Sequence, residues 1–211
     1  NRIDLARLRT EEISGNDLTG GYILKYDKPN SSLQIVYPKE HNLQPEQENY
    51  IRQFMDDYHE VLFSNDGLDP EIGYKNYIDE NTLIDYMVIS EFGKNCDAYL
   101  NSTFFYKDRA DRDNRLKIGP VWDFDLCFGN AGWQNGDKID QWQFANTTGA
   151  SNNKFSITRL LQDPELADRF ADRWNELRGG LLSNDSMTCV IDTIVAYIEP
   201  ALERNYRVYP V

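Results

Sequence analysis

Cysteine and histidine are scarce in this chain: three cysteines, Cys96, Cys127 and Cys189, and two histidines, His41 and His59, among 211 residues. No CxxC and no Cys/His spacing occurs and the cysteine count is odd and scattered, which argues against a zinc site or a disulfide framework. Neither histidine has a second one at ligand spacing, so both read as surface or packing residues. Long apolar runs are also missing. No stretch approaches the roughly 18 residues of a membrane span, and no basic and apolar leader opens the chain. The first residue is Asn1 rather than Met, which leaves room for a leader or a longer N-terminal portion upstream. Basic residues are the third deficit: 22 Lys and Arg against 35 Asp and Glu give a formal net charge of -13. Nucleic-acid binding needs a basic surface to replace phosphate counterions, and no such cluster exists here. An acidic surface suits cations, or simply solubility.

Aromatics, by contrast, make up 13% of the chain and hydrophobic residues 40%, enough for one folded domain over residues 1–211. GGYILKYDK predicts a strand over 21–27, and LQIVYP a second over 33–38, paired as a hairpin and ended by Pro38. From Pro45, the three- and four-residue steps of Tyr50, Ile51, Phe54, Met55, Tyr58 and Leu62 predict an amphipathic helix. NDGLDPEIGYKNYID is rich in Asp and Gly but lacks the spacing of an EF-hand. Helix resumes in DENTLIDYMVISEFGKN, where Glu91, late in the helix, reads as solvated.

A second hairpin is predicted from strands at 102–107 and through LKIGPVW. Residues 129–156 then read as a long ordered loop. DPELADRFADRWNELRGG is a capped helix with Asp163 as N-cap, Pro164 in the first turn and Gly179 past the end. A final helix over 185–204 is expected to bury Met187, Ile191, Ile194 and Ile198 and to kink or break at Pro200. The fold class is α+β, mostly helical with two short hairpins.

The chemistry-bearing residues fall at the ends of these elements: Glu91, the run NCDAYLN with Asn95, Asp97 and Asn101, and the run WDFD with Asp123 and Asp125. A hairpin returns near its own start, so NCDAYLN and WDFD can meet at one end of it. A carboxylate beside Val121, Trp122, Phe124 and Leu126 calls for a nearby positive charge, and a metal ion is the first candidate. An oxygen-only ligand set favours a hard cation. Two carboxylates with an amide suit Mg2+, which keeps waters and completes its shell on phosphates; Mn2+ or Ca2+, the latter as a purely structural ion, stay open. That combination suits phosphoryl transfer, in which one carboxylate holds metal, another orients the attacking hydroxyl and an amide completes a metal site. The plain alternative is a solvated turn with no chemistry. Cys96 and Cys127 each adjoin a motif; they read as small buried apolar residues, with a disulfide or reactive pair as the alternative.

The succession TGGYILKYDK, YPKEHNLQPEQ, SEFGKNCDAYLNSTFFYKD, IGPVWDFDLCFGN and DPELADRFADRWNELRGG resembles the spore coat protein H (CotH) kinase-like family across essentially all 211 residues. The resemblance implies a distant protein-kinase-like fold and an atypical protein kinase that uses ATP and a divalent metal to phosphorylate Ser or Thr of protein substrates. It implies Asp97 as the catalytic aspartate, Asn101 as a metal-side amide, and Asp123 and Asp125 as metal ligands in place of Asp-Phe-Gly. A bacterial spore-surface, cell-surface or secreted location is implied as well. A β-rich upstream portion is expected in the family, and this chain begins after it, as a C-terminal catalytic and metal-binding part that could be inactive alone. No glycine-rich phosphate loop or ATP-pairing lysine is assignable; Lys25 and Lys28 only lie near the first strand. A non-catalytic surface module and a metal-dependent phosphohydrolase are the competing functions.

Overall fold

The computed structural model describes residues 5–9, 13–27, 32–146 and 155–209. Contacts divide the chain into two compact units, residues 1–169 and 170–211. The first unit is built on one antiparallel sheet. Its strands are β1 (Tyr22–Tyr26), β2 (Gln34–Tyr37), β3 (Thr103–Lys107) and β4 (Leu116–Ile118), in the order β2-β1-β3-β4. The two hairpins are therefore not separate: β1 pairs with β3, from Tyr22 opposite Lys107 to Tyr26 opposite Thr103. Alternation explains the pairing. Tyr22, Leu24 and Tyr26 on β1 and Thr103, Phe105 and Lys107 on β3 are all buried on one face.

Gly20 and Gly21, just before β1, thread a crowded passage. A Cβ on Gly20 would lie 2.3 Å from the backbone of Asp108 and Arg109, and one on Gly21 2.3 Å from the Ala6 carbonyl. Only glycine fits there.

Helix α1 (Asn16–Thr19) is a single turn. Helix α2 (Pro45–Phe63) starts with Pro45 at its first position, and the Gln44 N–H donates to the Gln47 side chain at 3.1 Å. Its buried stripe is Ile51, Phe54, Met55, Tyr58 and Leu62, as the periodicity predicts. Full burial of such side chains stabilises by about 1.5–3 kcal/mol each before entropy is counted. The Tyr58 hydroxyl donates to the Phe155 carbonyl, and the Phe155 ring meets Phe105 edge-on at 5.1 Å. Helix and sheet are thus joined through one aromatic cluster.

Helix α3 (Glu80–Phe92) is capped by Asp79, whose carboxylate accepts the Thr82 N–H at 2.9 Å. The Thr82 hydroxyl accepts the Ile118 N–H, and the Asp79 N–H donates to the Leu116 carbonyl, so β4 is bonded to the start of α3. Lys75 pairs with Asp163 and Glu165, while the Tyr74 hydroxyl donates to Glu80 and Asp163. The Asp163 carboxylate in turn accepts the Glu165 N–H, which caps the next long helix as its sequence predicts. Within the expected loop 129–156 there is a short helix, α4 (Gln143–Asn146); residues 147–154 lie outside the described residues, as does Lys28. A further single turn, α5 (Ile157–Leu160), precedes α6 (Pro164–Arg178).

The second unit holds the end of α6 and the long helix α7 (Asn184–Val208). The helix continues through Pro200, so of the two expected outcomes an interruption does not occur. Proline removes one N–H, and the Ala196 carbonyl left without it lies on an exposed surface where water can take its place. One expectation fails: the isoleucines are not buried, Ile191 being 55% exposed, Ile194 54% and Ile198 40%. Inside this unit α7 has no facing layer along that length. Among the described residues no helix is long and apolar enough to cross a membrane.

Candidate functional site

Helix α3 ends at Phe92, where Gly93 caps it and its N–H reaches the Ile89 carbonyl. The chain then runs through a buried series of turns, Asn95 to Asn101, before β3 begins. Asn95 is 2% exposed, and its side-chain oxygen accepts the Asp97 N–H at 3.1 Å. This is a local Asx turn that fixes the backbone of Asp97. The Asn101 N–H donates to the Asp97 carbonyl at 2.9 Å, and its side-chain NH2 donates to the Asp97 carboxylate at 3.0 Å. Asp97 is therefore held at both backbone and side chain.

On the far side of the hairpin, β4 delivers Val121, Trp122 and Asp123. Asp123 adopts a left-handed backbone, φ 62°, which is uncommon outside glycine and aims its side chain away from the strand path. Its carboxylate accepts the Ser102 hydroxyl at 3.2 Å. The two motifs thus meet at the base of the hairpin. Asp123 and Asp125 are exposed, as are Val121 and Trp122, while Asp97 is mostly buried. The expectation of carboxylates buried in an apolar run therefore fails, and neither needs a counter-charge on that ground. The Asp125 carbonyl accepts the Asn130 side-chain NH2 at 2.7 Å, which closes the turn that follows.

Electrostatics agrees with this placement. Burial raises the Asp97 carboxyl pKa, the Asn101 amide opposes the rise, and the charges of Asp123 and Asp125 add to it. Cys96 and Cys127 are free, buried thiols, each pushed up to about 11 chiefly by burial. The pair also feel one another and Asp97 and Asp125, so they line the same region without a bond between them. Small buried apolar residues is the reading this matches.

Four buried side-chain polar atoms among the described residues lack a hydrogen-bond partner, on Ser90, Asn101, Gln143 and Asn146, and the Asn101 oxygen is the one beside Asp97. Leaving such an oxygen unpaired costs about 1–3 kcal/mol, so a water, an ion or a ligand atom is expected against it. Its amide nitrogen is committed to Asp97, which fixes which end is orphaned. Among the described residues no group of three or more His, Cys, Asp and Glu side chains is arranged to hold a metal ion. A cage built wholly from protein carboxylates is thereby absent. An amide oxygen beside one or two carboxylates is instead the donor set that Mg2+ accepts when waters and phosphate oxygens complete its shell.

Glu91 differs from its sequence reading. Rather than solvated, it is 6% exposed, and its carboxylate accepts the Tyr99 hydroxyl at 2.7 Å and the N–H groups of Gln143 and Phe144. Its partners are Tyr99, inside the Asp97–Asn101 turn, and the start of α4, and no bond joins it to Asp97 itself among those seen. Burial raises its pKa against the pull of those three donors.

Sequence reasoning also passed over Lys107 and left Lys25 unassigned. Lys25 stands on the half-exposed face of β1, where its ammonium lies 5.7 Å from the centre of the Phe104 ring and 3.0 Å from Asp27. Phe104 contacts Trp122, the neighbour of Asp123, with ring centres 5.5 Å apart. Strand alternation was the available signal, since Lys25 and Phe104 are cross-strand partners.

A protein-family model described as CotH kinase protein matches residues 2–210. No curated protein and no solved structure matches the chain.

Proposed function

The chain belongs to the CotH kinase protein family, and from that premise we propose that it is an atypical protein kinase. The reaction is ATP-dependent phosphoryl transfer, with Mg2+ and with Mn2+ as a substitute, to Ser or Thr hydroxyls of surface or secreted proteins. The observation that carries this reading is the orphaned Asn101 oxygen, set beside Asp97 and across the hairpin from Asp123 and Asp125. Asn101 and Asp123 would hold the cation, with Asp125 as a further oxygen donor. When bound, the cation supplies charge neutralisation on the phosphate oxygens.

The remaining work falls to the protein's own groups. Asp97, oriented by the Asn101 amide at 3.0 Å, accepts the hydrogen bond of the attacking hydroxyl and then its proton. Asn95 and the Asn101 backbone keep that carboxylate from turning away. Lys25 shares its sheet face with Phe104 and Lys117 and is ion-paired with Asp27 at 3.0 Å, so no phosphate-binding role is assigned to it.

The test uses the intact protein with labelled ATP and a mixture of protein substrates. Asp97→Ala and Asp123→Ala should each lower phosphoprotein formation by about 100-fold or more. Unchanged transfer in both variants overturns the assignment. Free phosphate in place of phosphoprotein would make the protein a phosphohydrolase, and Mg2+ binding without turnover would make it a binding module.

A further inference from the structure

The segment between Phe128 and Gln143 is the second part of an irregular stretch that runs from Gly119 to Trp142, and both of its ends are fixed to the end of α3 and the two residues that follow it. At its start the Phe128 N–H donates to the Gly93 carbonyl at 2.7 Å. At its end Lys94 donates to the Gln141 carbonyl, and the Gln143 and Phe144 N–H groups donate to Glu91. A loop whose ends are held together by one helix terminus is a compact Ω-type loop, a class that is frequently functional. Its surface carries Trp133, Ile139 and Trp142, all exposed.

The same Glu91 carboxylate accepts the Tyr99 hydroxyl. Tyr99 sits midway between Asp97 and Asn101 with a left-handed backbone, φ 69°, a conformation that costs a bulky residue energy and needs outside support. Support comes from two sides: the hydroxyl bond to Glu91 and an edge-on contact with Tyr86 at 5.9 Å. One buried side chain therefore bonds to the end of the loop and to the strained centre of the Asp97–Asn101 turn. Packing alone would be met by an apolar residue; a buried carboxylate is retained only with its donors present.

We infer that Glu91 is a positioning residue that couples the 128–143 loop to the Asp97–Asn101 turn, so that ordering of the loop and the geometry of the cation site rise and fall together. This rests on the kinase reading only for the purpose of the coupling; the clasp itself is read without a cation.

Amide hydrogen exchange followed by NMR on the metal-free protein tests the coupling. In Glu91→Gln, exchange at Gln143, Phe144 and Asn101 should speed up by at least about tenfold, while α2 amides such as that of Tyr58 stay unchanged. Tyr99→Phe keeps the loop bonds, so only the Asn101 amide should accelerate. Titration with Mg2+ should then show affinity lowered several-fold in both variants. Unchanged exchange at Asn101 in Glu91→Gln overturns the coupling, as does acceleration that spreads equally through α2. Wild-type protein that binds no Mg2+ sinks the kinase reading, and the exchange result then stands or falls by itself.

Discussion

Lys107 shows what a single side chain costs and supplies in this fold. It is fully buried, donates to the Thr19 and Asp108 carbonyls, and lies over the rings of Tyr50 and Phe54 at 5.3 and 4.9 Å. Burial lowers its pKa to about 8, with Asp108 and Asp113 opposing. In the unfolded chain lysine keeps its proton to about pH 10.4. Between those values the unfolded state binds more protons, so stability rises with pH as the folded lysine sheds a buried charge. Measured by urea unfolding at pH 7.5 and 10, wild type should gain on the order of 2–3 kcal/mol relative to Lys107→Met over that range. A difference that does not move with pH would mean that the ammonium is solvated. Nothing in the sequence marked this lysine, because its burial follows from the β1–β3 pairing rather than from its neighbours. Asp97, Asn101, Asp123 and Asp125 were readable as a group because a hairpin has to return near its start. The orphaned oxygen of Asn101 was not, since it depends on which way one amide is turned.

At the scale of elements, the misread residues trace to how many sides of a helix are covered. Helix α2 has one buried stripe and reads clearly. Helix α3 buries Leu83, Ile84, Tyr86, Met87, Val88, Ser90 and Glu91, which is nearly every side, so periodicity gives no warning that Glu91 points inward. Helix α7 errs in the other direction: an apolar pattern predicts a partner face, and its own unit supplies none for Ile191, Ile194 and Ile198. Its continuity through Pro200 leads to a prediction. Proline inside a helix costs up to about 3 kcal/mol relative to alanine. Pro200→Ala should restore the N–H bond to the Ala196 carbonyl and slow amide exchange over residues 201–208 by about tenfold or more. Equal exchange in the two proteins would mean that the last two turns are not held as helix in solution.

For the whole molecule the relevant balance is between stability and cation binding in a chain of net charge -13. The Asp97 pKa is raised chiefly by burial, and the charges of Asp123 and Asp125 add to the rise. The like charge near Asp97 opposes folding, and under the proposed function a bound cation would offset it. Asp123→Asn should therefore raise the melting temperature of the metal-free protein, because it removes one of the like charges and keeps the side chain's size. Wild type should gain from Mg2+ by mass action, about 2.7 kcal/mol at a concentration one hundred times Kd, which for a chain of this length is about 5–10 °C. Asp123→Asn should lose most of that gain. The two effects have opposite signs, so calorimetry with and without Mg2+ separates a cation site from a merely acidic surface, where salt would act alike on both proteins. Parallel behaviour of wild type and Asp123→Asn would assign the carboxylates to solubility.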